Sequence, residues 1–318
     1  MPLGTVLAMT TTALPTLTAR TPEDVLAAVP LVLGFVPEES VVMLTSGATH
    51  PFHARLDLPR SGKERRAAAE SLVAPAVRHR VGRVVFVLYA ADAALARSCA
   101  RVLVRAFLRR GVDVADVLRS DGSRWFLVSL DGSDADASGT PYDLTGHLFT
   151  AQAVAAGHVT LASRRDLAET VAADPQLVAA VSDVLREDGR PEVDHVEWLP
   201  DVISALVASG VVPDAPTTAR VLAALARPAG RDAAMGELTR ELAEERLPVF
   251  SALVRAAPPP LLAPAASVLA FLAWLSGDGA LAWCALDRAA EGDPPCTLAD
   301  AVAEALDLAL PPDVWEGR

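Results

Sequence analysis

A mixed α/β sheet domain followed by an all-helical domain is the fold class this sequence predicts. Three observations carry that reading. Residues 84–89, Val-Val-Phe-Val-Leu-Tyr, form a continuous β-branched and aromatic run of the kind found in a strand buried on both faces. Around it, helical patterns alternate with hairpin patterns up to about residue 130. Beyond Leu148 every segment is helical in pattern, punctuated by Pro and Gly.

The elements follow in order. Residues 1–20 carry no strong pattern and are expected to be loosely attached. Thr21 is a candidate N-cap with Pro22 at the first helical position and Asp24 three residues on, opening a helix through Leu31 that Gly34 and Pro37 stop. Ser40–Leu44 and Phe52–Leu58 read as two strands joined by a turn at Ser46-Gly47. In the second, Phe52, Ala54, Leu56 and Leu58 alternate with His53, Arg55 and Asp57. A helix over Lys63–Arg78 precedes the apolar strand, and another over Ala93–Arg110 follows it, ending at Gly111. Val112–Leu118 and Trp125–Leu130 flank Asp121-Gly122, a hairpin turn signal. The sum is a mixed five-stranded sheet with crossover helices over residues 21–146. A small-residue loop, Asp131–Pro141, closes it. An acidic helical domain is expected over residues 147–318, ending in a helical hairpin split at Gly277-Asp278-Gly279. Ala282, Leu286, Ala289 and Pro294 have the spacing of the second helix of a tetratricopeptide repeat, but no second copy follows, so a simple hairpin is the plainer reading.

Composition narrows the class of function. The chain has 318 residues, 52% of them hydrophobic, so it buries a core and is not globally disordered. Its most apolar stretch, Leu261–Leu275, contains Pro264 and falls short of the ~20 residues that cross a bilayer. The first twenty residues lack a basic group before Arg20, so they do not read as a signal peptide, and Met9 is an alternative start. Cys99, Cys284 and Cys296 are widely spaced with no CxxC pair, against a disulfide framework or a zinc site. A cytoplasmic protein without membrane association is the expectation. Of 28 basic residues 27 are arginine, a composition bias that makes arginine number alone uninformative. Residues 1–150 hold 15 acids and 16 bases, whereas residues 151–318 hold 25 acids and 12 bases. The second half would repel a polyanion, so no nucleic-acid partner is expected.

Catalytic signatures are sparse. The sequence has no GxSxG elbow, no HExxH, no phosphate loop and no GxGxxG after a strand. Asp134-Ala-Asp136-Ala-Ser138-Gly139 copies the first half of a calcium loop, but Thr145 stands where a bidentate glutamate is required. His50 and His53, three apart on a strand, point to opposite faces and cannot share a metal. No metal and no cofactor are expected. Two groups remain. Arg97, Arg101, Arg105 and Arg109 recur every fourth residue on one helix. Like charges at that spacing repel by roughly 0.2–0.5 kcal/mol per pair, so the stripe either faces something acidic or is a solvated face. Glu38, Ser40, Arg55, Asp57 and Arg124 lie at strand ends or on the polar face of the early hairpin, where α/β proteins place ligands. They are the candidate binding or acid–base group, against the plainer reading of a wet hairpin face.

The stretch from Thr21-Pro-Glu-Asp-Val through Gly34-Phe-Val-Pro-Glu-Glu-Ser-Val-Val, with Arg55-Leu-Asp-Leu-Pro59, resembles the actinobacterial family called domain of unknown function 4192. The likeness continues at Asp121-Gly-Ser-Arg-Trp125, Gly139-Thr-Pro141, Trp274-Leu-Ser-Gly-Asp-Gly-Ala-Leu-Ala282 and Pro311-Pro-Asp-Val-Trp315. The resemblance implies no particular activity, substrate or cofactor. Members of that family are similar in carrying a cysteine-rich segment before Gly-Thr-Pro; here Asp131–Ser138 has no cysteine, so no metal or redox role carries over. Two functions are therefore weighed. The favoured one is an interaction or regulatory protein that meets a protein partner, or itself, through an acidic helical surface. The alternative is a small-molecule-binding protein or enzyme using the hairpin group.

Overall fold

The computed structural model describes residues 7–9, 17–48, 52–129, 138–187 and 196–315. The chain divides into two compact units, residues 1–164 and 165–318.

In the first unit, β1 (Leu7–Met9) pairs antiparallel with β2 (Leu17–Ala19), inside the segment expected to be loosely attached. Leu17 and Ala19 are buried, which explains why that stretch is held. Helix α1 (Pro22–Leu33) starts in a complete capping box. Thr21 Oγ1 accepts from the Asp24 N–H, the Asp24 carboxylate accepts from the Thr21 N–H, and Gly34 ends the helix at φ 77°. Strands β3 (Ser40–Ser46) and β4 (His53–Asp57) form the expected hairpin. Helix α2 (Gly62–Arg78), capped by Ser61 and Glu64, leads to β5 (Arg83–Tyr89), and α3 (Ala93–Arg109), capped by Asp92, crosses over to β6 (Asp113–Ser120). The Asp121-Gly122 turn then gives β7 (Arg124–Leu127).

The sheet has one strand more than the five expected. Thr140–Pro141 forms β8 and pairs with Arg124–Trp125, so the order is β4-β3-β5-β6-β7-β8. Two residues ending in proline are too short to show a strand period, and Pro141 can stand only where no further ladder is needed, at the edge. Among the described strands of this sheet only β5 and β6 run parallel, as the α3 crossover demands. Val41, Met43, Phe86, Leu88 and Val117 pack against α2 and α3 on one face. Their alternates Val42, Leu44, Val85, Val87 and Leu118 are buried on the other. Helix α4 (Leu148–Ala155) and the residues after it, which the sequence assigned to the helical half, are held by this unit. α4 packs on α1, and Leu161 exchanges backbone bonds with Gly34 and Val36 beside Phe35.

The second unit is helical, with no strand among its described residues. Its elements are α5 (Arg164–Glu169), α6 (Pro175–Glu187), α7 (Leu199–Ser209), α8 (Ala215–Leu225), α9 (Pro228–Met235), α10 (Arg240–Ala256), α11 (Pro259–Ser276), α12 (Gly279–Ala289) and α13 (Thr297–Asp307). The axis of the unit is α11, buried from Leu261 to Ser276. By length and composition it could cross a membrane, but 89% of it lies inside the bundle, packed by α8, α9, α10, α12 and α13. Helix α12 folds back from it after Gly277, which adopts φ 90°, giving the expected hairpin. Two close approaches depend on glycine. A Cβ on Gly230 would lie 2.0 Å from the Ala224 carbonyl oxygen, and one on Gly292 would lie 2.5 Å from the Ala263 nitrogen.

Candidate functional site

The hairpin group resolves into four neighbours and one outlier. Ser40 opens β3 and is fully buried; it pairs with Asp57, while Val42 pairs with Arg55, so the side chains of Ser40, Arg55 and Asp57 share one face. The Ser40 hydroxyl donates to the Glu38 carbonyl at 2.5 Å and accepts from Arg55 Nε at 2.8 Å. Arg55 also pairs with Asp57 at 2.5 Å. The serine proton is thus committed to a carbonyl, its lone pair faces a cation, and the carboxylate is committed to the same guanidinium. Among the described residues no general base of the kind nucleophilic catalysis requires hydrogen-bonds to Ser40. Arg124 stands apart: β5 and β6 separate β7 from β3, a distance of roughly 14 Å at the usual strand spacing. Its guanidinium donates to the Ser138 and Gly139 carbonyls at 3.0 and 2.8 Å, anchoring β8.

The same end of the sheet holds polar contacts that the sequence does not signal. Trp125 Nε1 donates to Glu23 at 2.8 Å, tying β7 to the first turn of α1. His147 Nε2 lies 3.1 Å from Asp24, while its Nδ1 accepts from the Phe149 N–H and caps α4. Both ring nitrogens are thus engaged within the fold. Burial alone would raise the Asp24 carboxyl, but the backbone N–H groups of Arg20 and Thr21, with His147, hold it below the ordinary carboxylate range. Ser120 and Tyr142 share a 2.7 Å hydroxyl bond, and burial pushes the Tyr89 hydroxyl up. The Trp125–Glu23 and His147–Asp24 contacts join residues more than a hundred positions apart, which no local pattern reveals. They are architectural.

The arginine stripe is differently placed. Helix α3 buries Ala96, Cys99, Ala100, Leu103, Val104 and Phe107, and its Cys99 thiol is raised to about 11 by burial, despite the opposing pull of Arg65. The opposite side carries Arg97, half-buried, and Arg101, Arg105 and Arg109, all exposed. Arg101, Arg105 and Arg109 make no ion pair or hydrogen bond among the described residues. Leu108, 55% exposed, and Arg110 extend the face. Residues 62–110, which include α2 and α3, carry 11 bases and 3 acids.

The helical unit treats its bases in the opposite way. Arg231 donates to the Leu225 and Ala226 carbonyls, Arg240 to Ser276, Arg246 to Ala234, Arg255 to Glu169 and Arg288 to Val171, all at or just past helix C-termini. Five of the 11 bases of residues 165–318 are thereby turned onto backbone, while 25 acids belong to the same stretch. Among the described residues no group of three His, Cys, Asp or Glu side chains is placed to hold a metal. His50 and the stretch from Asp134 to Asp136 lie outside the described residues.

Fold and site together define a two-unit protein: a mixed-sheet unit with a basic helical layer and a helical unit rich in acids. The chain belongs to the family described as domain of unknown function 4192, whose family model matches residues 22–313. No curated protein and no solved structure matches it.

Proposed function

We propose that this protein is an interaction module that engages an acidic protein surface through the outer face of α3. The observation that carries this reading is the set Arg101, Arg105 and Arg109, exposed and without an ionic partner among the described residues. Mutual repulsion along the stripe costs the helix about 0.2–0.5 kcal/mol per neighbouring pair, a cost that an acidic partner would reverse. A net charge of −12 works against a nucleic acid or an anionic membrane as that partner and favours a compact acidic patch. Three buried free thiols support a reducing, cytoplasmic setting. The hairpin alternative has less support, because Arg55 is already engaged by both Ser40 and Asp57.

Fluorescence anisotropy with a labelled poly-glutamate peptide tests the reading. Wild type should bind at low salt and release at high salt, and Arg101→Glu with Arg105→Glu should weaken binding at least tenfold without shifting the melting temperature. Equal binding by both proteins would refute it.

A further inference from the structure

The acidic partner can be sought within the chain's own surface chemistry. Helix α13 buries Val302 and packs on α11, and it contains no basic residue. Asp300, Glu304 and Asp307 are exposed along its outer side and make no ion pair among the described residues. From Asp300 to Asp307 is about 10 Å of helix, and from Arg101 to Arg109 about 12 Å, so two rods of opposite charge match in length and pitch. We propose, resting on the reading of α3 given above, that the acidic surface it engages is α13 of a second copy of this chain.

Such a contact joins two different faces, so one junction leaves a free α13 on one copy and a free α3 on the other. The two remaining faces either meet reciprocally within the pair, closing a two-fold dimer, or recruit further copies head-to-tail into rings or open chains. One helix on one helix is a small interface made of exposed ion pairs. The complex should therefore be weak, rapidly exchanging and sensitive to salt.

Sedimentation velocity on the full chain tests this with two surface variants, one carrying Arg101→Glu, Arg105→Glu and Arg109→Glu, the other Asp300→Arg, Glu304→Arg and Asp307→Arg. Wild type should show an average mass that rises with concentration at low salt and returns to the monomer at high salt. Each variant alone should remain monomeric, because its two faces then carry like charge. Mixed in equal amounts they restore opposite charge at both junctions, native and swapped, and the concentration-dependent association should return. If either variant loses its helical circular dichroism, the glutamine versions of the same positions replace it, and loss of concentration dependence is the expected result. Wild type that binds poly-glutamate but stays monomeric at low salt would overturn the second-copy proposal and leave the acidic-partner reading standing. Failure of both measurements would remove both.

Discussion

Acidification should loosen the β3–β4 hairpin through one residue, His53. Its Nδ1 accepts the Thr45 N–H at 3.3 Å, and its Nε2 is shut from solvent with no hydrogen-bond partner among the described residues. Burial lowers its pKa from the ordinary 6.5 to about 4. Between those two values the unfolded chain binds a proton that the native hairpin refuses, so stability falls as pH falls and is fully present above pH 6.5. At ~1.4 kcal/mol per pH unit the loss is about 2 kcal/mol by pH 5, with a ceiling of about 3 kcal/mol below pH 4. Protonating Nδ1 would also cost the Thr45 bond. The measurement is a series of urea titrations between pH 7 and 5, with amide exchange in β3 and β4 locating the change. His53→Gln keeps an acceptor for Thr45 and does not titrate, so its stability should be nearly flat over that window. If the variant loses stability in parallel with wild type, His53 is not the titrating group and the reasoning is wrong.

Two further substitutions probe packing and the hairpin group. Gly230→Ala places a methyl 2.0 Å from the backbone oxygen of Ala224, which cannot rotate away. The α8–α9 corner must open, lowering stability by about 2 kcal/mol or more, and an unchanged thermal midpoint would contradict the close approach. Ser40→Ala removes both the acceptor for Arg55 Nε and the donor to the Glu38 carbonyl in a buried position. A loss of about 1–2 kcal/mol is expected by denaturant titration, and a neutral result would mean that the Arg55–Ser40 bond contributes nothing.

Local chemistry was the part of this fold open to reading from residues alone. The Thr21/Asp24 capping box, the Asp121-Gly122 turn and the apolar run at Val84–Tyr89 each depend on neighbours within a few positions, and each stands where the pattern put it. Strand β8 did not show, because Thr140–Pro141 becomes a strand only when Arg124 reaches across to the carbonyls before it. The candidate site divides along the same line. Ser40, Arg55 and Asp57 belong to one hairpin, so their proximity follows from adjacency in sequence. Arg124 seemed to share the site because its strand end has similar chemistry, but strand order, which depends on the α3 crossover, sets it apart. The acid excess of the second half is plain from composition. That Arg231, Arg240 and Arg246 are withdrawn onto helix ends is a tertiary fact, invisible in a count of charges.

The position of α11 in the chain has a consequence for synthesis. Helices α8, α9 and α10 leave the ribosome before the segment they pack against, and α12 and α13 follow it. Until residue 276 has cleared the exit tunnel, the faces of those three helices that meet α11 stay wet during translation. The centre of the helical unit is therefore filled late, and a nascent chain stalled before Pro259 would be a natural client for chaperones that hold exposed apolar surface.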